Sequence, residues 1–135
     1  MLYEIQNPRQ HEGEPHRRWF FSHEQDLYVW EAPDHTITAF QLCYGKPANE
    51  RAVYWRSDSG YVHLRVDEGR RYGTPLLLAD GELQVNRVLH DFRRLAVNLP
   101  EEIRGFVEDR LVQYKPPKRT ALPARSKKKP WWQFW

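Results

Sequence analysis

At 135 residues, with 40% hydrophobic and 14% aromatic side chains, the chain holds enough apolar material for one core of ordinary size. Its single cysteine excludes a disulfide framework within the chain. The formal charge of +3 is unevenly laid down: residues 1–114 carry 14 Lys/Arg against 18 Asp/Glu, while residues 115–135 carry seven basic residues and no acidic one. Basic character therefore belongs to the C-terminal segment, and only there does it bear on partners.

The start, Met1-Leu2-Tyr3-Glu4-Ile5-Gln6-Asn7-Pro8, lacks a basic stretch followed by an apolar run, and no window approaches the ~20 apolar residues of a membrane span. A soluble, cytoplasmic protein is the expectation. Residues 17–68 then read as strands: 17–22, 27–31, 36–44, 51–56 and 61–66 are rich in aromatic and β-branched side chains. Between them stand turn formers, Pro33-Asp34, Gly45-Lys46-Pro47-Ala48-Asn49 and Ser57-Asp58-Ser59-Gly60. Such short connections require antiparallel neighbours, so a meander of about five strands is predicted, with 2–5 and 76–78 as possible additional or edge strands.

The periodicity changes after residue 84. Val85, Val88, Leu89, Phe92, Leu95 and Ala96 recur at three- and four-residue intervals and predict a helix, although Asp80-Gly81 is also a hairpin signal that would make 82–85 a strand. A second helix opens after Asn98-Leu99, with Pro100 in its first turn, Glu101 and Glu102 at the positive end of its dipole, and an apolar stripe of Ile103, Phe106, Val107, Leu111 and Tyr114. It must stop near Pro116-Pro117. The fold class predicted is α+β, an antiparallel sheet of about five strands followed by two packing helices, forming a single domain over residues 1–114.

Residues 115–135 contain four prolines and seven basic residues, the composition of a disordered, extended linker. The 14 residues from Pro117 to Pro130 span up to roughly 45 Å at ~3.3 Å per residue. The segment finishes in Lys127-Lys128-Lys129-Pro130-Trp131-Trp132-Gln133-Phe134-Trp135, which holds three of the six tryptophans. Large aromatic side chains in water are costly, so the cluster implies a surface to contact.

Asp26-Leu27-Tyr28-Val29-Trp30, Phe40-Gln41-Leu42-Cys43-Tyr44, Thr74-Pro75-Leu76-Leu77-Leu78, Asp80-Gly81, Phe92 and Leu99-Pro100 together resemble a group of small uncharacterised bacterial proteins. The resemblance covers most of residues 17–114. It implies a bacterial cytoplasmic setting and a strand-rich first part followed by helices, and it brings no activity with it.

Motifs with a mechanical basis in catalysis are not found: there is no phosphate-binding glycine loop, CxxC, HExxH or GxSxG. Cys43, in an apolar strand, reads as a packed thiol. His11, His16 and His23 are too irregularly spaced for a metal set, so no metal or cofactor is expected. One constellation suggests a ligand groove. Period-two alternation puts Tyr61, His63 and Arg65 on one face of their strand; Tyr28 and Trp30 share a face of theirs, as do Tyr54 and Arg56. The plain alternative is that His63 and Arg65 lie on the wet face of an antiparallel sheet.

For the C-terminal motif, four readings compete: a pocket on a protein partner, an anionic bilayer, single-stranded nucleic acid, and the chain's own domain. Three lysines contribute only about 3 kcal/mol at a membrane, and the segment is too proline-broken for an amphipathic helix, so membrane contact would be weak. The acidic body argues against nucleic acid. The expectation is a non-enzymatic interaction or adaptor protein that docks a protein partner through Lys127, Lys128, Lys129, Trp131, Trp132, Phe134 and Trp135. A small-ligand-binding protein or enzyme using the groove around His63 and Arg65 is the rival.

Overall fold

The computed structural model describes residues 1–46, 50–67, 76–79 and 83–115. The strands are β1 (Tyr3–Ile5), β2 (His16–Phe21), β3 (Asp26–Glu31), β4 (Ile37–Tyr44), β5 (Arg51–Arg56), β6 (Gly60–Asp67) and β7 (Leu76–Ala79), followed by helices α1 (Val85–Leu95) and α2 (Glu101–Val112). The strands form one antiparallel sheet in strict chain order. The α+β class is as the sequence predicts. The strand count is seven and not about five, because the flanking segments 3–5 and 76–79 join the central meander as its two edges.

Turn chemistry sets the hairpins. Between β3 and β4, the Asp34 carboxylate accepts from the Thr36 N–H at 3.0 Å and His35 sits at φ 69°, which lets the Ala32 N–H reach the Thr36 carbonyl at 2.8 Å. Between β5 and β6 the chain turns through Ser57-Asp58-Ser59 and closes on Gly60 at φ 83°, a conformation that side chains disfavour.

Alternation along the strands sends Leu27, Val29, Phe40, Leu42 and Val53 to one face, where they meet Val88, Leu89, Phe92 and Leu95 of α1 and Ile103, Val107 and Leu111 of α2. The six α1-region positions picked out by periodicity all belong to this cluster, Val85 at its margin. That decides between helix and strand for this stretch. Pro100 stands at the N-cap of α2 and not in its first turn, with ψ 138° and no side-chain cap. A 3-10 turn, Ala96–Asn98, joins the helices, and the Leu2 N–H donates to the Leu95 carbonyl at 2.8 Å, tying the chain's start to the end of α1.

The turn residues 47–49, the Asp80-Gly81 pair, Pro116-Pro117 and the whole C-terminal motif lie outside the described residues. Among the described residues no helix is long and apolar enough to cross a membrane.

Candidate functional site: the second face of the sheet

The register divides the predicted groove. His63 pairs with Val53, and Tyr61 with Trp55, so Tyr61, His63 and Arg65 share the face covered by the helices. Tyr28 and Trp30 pair with Gln41 and Ala39 and face the opposite way, together with Tyr54. The two halves of the groove are therefore on opposite sides of one sheet, and no single cleft contains both.

Nor is the His63 face wet. His63 is 4% exposed, its ring lies nearly parallel to that of Tyr44 (4°, centroids 5.9 Å apart), and its Nε2 is hydrogen-bonded to the Tyr44 hydroxyl. Tyr61 donates to the Arg110 carbonyl at 2.8 Å and meets the Tyr114 ring edge-on at 5.2 Å, so it anchors the end of α2. Burial pushes the Tyr61 phenol up, which keeps it a neutral donor. Of this trio only Arg65 is exposed.

The opposite face is the more unusual surface. One row across it reads Trp19, Tyr28, Gln41, Tyr54, Val62; the next reads Arg17, Trp30, Ala39, Arg56. Trp19 stacks on Tyr28 at 5.7 Å and 11°, Tyr28 on Trp30 at 6.2 Å, and the Arg17 guanidinium stands 5.6 Å from the Tyr28 ring centre. Tyr28, Trp30, Cys43, Tyr54 and Leu64 are all buried, and so are Arg17 and Gln41. Burial lowers the Arg17 guanidinium pKa and raises those of the Tyr28 phenol and the Cys43 thiol. Cys43 therefore remains a protonated, packed thiol, with Gln41 Nε2 donating to its sulfur at 3.3 Å. Among the described residues Arg17 Nε, Trp19 Nε1 and Gln41 Oε1 are buried with no hydrogen-bond partner.

Sequence reasoning missed Arg17, Trp19 and Gln41 as members of this face. The signal available was that β3 and β4 read as nearly unbroken apolar runs, the mark of strands covered on both sides.

At the rim of this face, Lys46 Nζ donates to Asp26 Oδ1 at 2.8 Å and lies 4.5 Å from the Phe21 ring centre. Burial raises the Asp26 pKa, and the Lys46 hydrogen bond only partly opposes it. A carboxyl whose folded pKa exceeds its unfolded value of about 3.9 contributes stability at low pH that is lost as pH rises through the folded pKa. The native chain should therefore lose stability relative to Asp26→Asn as pH rises from about 3 to about 7, as read from paired thermal midpoints. A difference that stays flat, or grows in the native chain's favour, would show that the ion pair outweighs burial.

Two clefts open elsewhere among the described residues. One of about 400 Å³ lies among Leu2, Tyr3, Glu4, Phe20, Asn98, Leu99 and Pro100. The other, about 340 Å³, is lined by His16, Arg18, Glu31, Ala32, Pro33 and His35. Within and beside it, Arg18 donates to both Glu4 oxygens at 2.8 Å and to Glu31 at 3.4 Å, and His35 Nδ1 lies 3.4 Å from Glu31. The Arg18 hydrogen bond lowers the Glu4 pKa, as expected of an ion pair that braces β1, β2 and β3 together. Among the described residues no group of three or more His, Cys, Asp or Glu stands close enough to hold a metal ion. Compared with known proteins, the chain matches no family model, no curated protein and no solved structure, so its residues alone carry the functional reading.

Proposed function

We propose that this is a non-enzymatic interaction protein, an adaptor whose folded body, residues 1–114, presents a C-terminal docking element to a protein partner. The observation that carries this reading is the concentration of Trp131, Trp132, Phe134 and Trp135 directly after three lysines and Pro130, on a proline-rich tether. Tryptophan buries much area with few rotors and is over-represented among the residues that dominate binding energy. Lys127, Lys128 and Lys129 set orientation and encounter rate.

The test is affinity capture from a cell extract with the full chain and with a chain ending at Pro130. A specific protein retained by the first and lost by the second is the expected result. Equal capture by both would sink the proposal, and capture only of anionic vesicles by the full chain would replace it with a membrane role.

A further inference from the structure

The outer edge of β1 ends the sheet, and hairpin parity shows which of its main-chain groups point outward. The Ser22 N–H donates to the Gln25 carbonyl at 2.9 Å, which makes these two a hydrogen-bonded pair. By antiparallel alternation Phe20 with Leu27 and Arg18 with Val29 are such pairs too, so the N–H and C=O of Trp19 and Phe21 point the other way, toward β1. Tyr3 and Ile5, opposite Phe21 and Trp19, therefore turn their main-chain groups inward, while those of Leu2 and Glu4 turn outward. The Leu2 N–H agrees, since it leaves the sheet to reach the Leu95 carbonyl. Among the described residues no hydrogen bond reaches the main chain of Glu4 from beyond this edge.

The surroundings of that edge are equally particular. On its helix-covered side lies the cleft of about 400 Å³, where Leu2, Glu4 and Phe20 face the Asn98-Leu99-Pro100 corner. Met1, Tyr3 and Val97, which are 51%, 60% and 56% exposed, border it; they are three of the four large apolar side chains that stand most exposed among the described residues. Exposed apolar side chains scattered singly carry no message, but a group of them beside an open strand edge and a cleft does.

We infer that the outer edge of β1 is a docking surface for an extended basic peptide, which joins the sheet as an added strand and seats one apolar side chain in the cleft. Strand addition of this kind draws affinity from main-chain hydrogen bonds and specificity from pockets for alternate side chains. Here the Glu4 N–H and C=O and the Leu2 C=O supply the main-chain partners. A residue placed directly opposite Glu4 shares its face of the sheet, so its side chain enters the cleft.

Charge selects the occupant. Glu4 lines the cleft, and Glu101 and Glu102 stand exposed directly after Pro100 at its rim. Arg18 is already held by Glu4 and Glu31, and the Met1 ammonium and Arg94 stand near Glu24 and Asp91. A second copy pairing through its own β1 would set Glu4 against Glu4 and bring two acidic rims together, which is destabilising. A peptide with Lys or Arg flanking an apolar residue meets the rim with opposite charge. This surface is separate from the C-terminal motif and gives the body a binding activity of its own.

The test selects a display library of short random peptides on the immobilised full chain, then measures the enriched peptides against three variants of it. Glu4→Pro removes the outward N–H while leaving the inward bonds of Tyr3 and Ile5 in place, as proline is tolerated at a strand edge. Glu4→Gln controls for loss of the Arg18 ion pair, and Asn98→Trp fills the cleft from an exposed position. The expected peptides carry an apolar residue between basic ones and weaken at raised salt. They should lose about tenfold or more in affinity on Glu4→Pro, the size of one main-chain hydrogen bond, and as much on Asn98→Trp, but keep most of it on Glu4→Gln. If Glu4→Pro does not fold, Asn98→Trp decides alone. Failure to enrich any peptide, enrichment of acidic ones, or binding that survives Asn98→Trp would overturn the inference. A concentration-dependent dimer of the native chain that Glu4→Pro dissolves would assign the edge to a second copy instead. Trp131→Ala with Trp132→Ala should leave peptide binding unchanged; its loss there would move the binding to the C-terminal motif and remove this inference alone.

Discussion

Phe40→Ala is expected to lower the unfolding free energy by about 4 kcal/mol, the middle of the range for a fully buried phenylalanine. Phe40 is 0% exposed at the centre of β4, stacked on Trp55 at 5.9 Å and meeting Phe106 edge-on at 6.5 Å. Arg110 lies 5.2 Å from the Trp55 ring centre and 4.7 Å from that of Phe106, so one aromatic group joins β4 and β5 to α2. Truncating Phe40 removes its own buried surface, leaves a cavity, and breaks two ring contacts each worth about 0.5–1.5 kcal/mol. Domains of this size hold about 5–15 kcal/mol in total, so the loss is a large share of what is available. Val112→Ala, at a position 61% exposed on the same helix, is the control and should fall within about 0.5 kcal/mol of the native chain. Denaturant titrations of the two variants check this; a Phe40→Ala loss below about 1 kcal/mol would mean that α2 is not held on the sheet through this group.

The second large effect is on binding. Trp131→Ala with Trp132→Ala should abolish partner capture, because two anchoring tryptophans at about 2 kcal/mol each amount to roughly a thousandfold in affinity. Changing Lys127, Lys128 and Lys129 to Gln should mainly slow association and flatten its salt dependence. Membrane or nucleic-acid binding would show the reverse, collapsing with the lysines and at raised salt, since attraction between exposed charges is screened within about 8 Å at physiological ionic strength. Surface-immobilised partner, anionic vesicles and single-stranded oligonucleotides, tested in parallel, separate these cases. Retained capture by the double tryptophan variant would remove the motif from the mechanism.

Much of the fold is legible in the sequence, because local chemistry and burial agree. The α1 stripe from Val85 to Ala96 and the α2 stripe from Ile103 to Tyr114 are long enough for the helical period to overrule the Asp80-Gly81 hairpin signal. The turns at 32–36 and 57–60 carry residues that adopt positive φ, His35 and Gly60, or accept a local hydrogen bond, as the Asp34 carboxylate does. The candidate site was less legible because it depends on parity across hairpins. Three loop residues, 57–59, between Arg56 and Gly60 place His63 beside Val53 and Val62 beside Tyr54. A one-residue difference in that loop would invert the assignment. Alternation within β6 is visible in the sequence, but which of its faces joins Tyr28 is not.

Strand order has a kinetic consequence. Every strand pairs with its chain neighbours alone, so the sheet forms by successive short closures, each cheap in loop entropy, and needs no distant segment before it can grow. The covering helices come last. During synthesis at about 5–20 residues per second, the 45 residues from Asp67 to Val112 delay the end of α2 by roughly 2 to 9 s after β6 has emerged. Throughout that interval Leu27, Val29, Phe40, Leu42 and Val53 form a continuous apolar sheet surface with nothing yet made to lie on it. Nascent chains of this protein are therefore most prone to aggregate during those seconds, and lower temperature or a holding chaperone should raise the soluble yield without altering the stability of the finished fold.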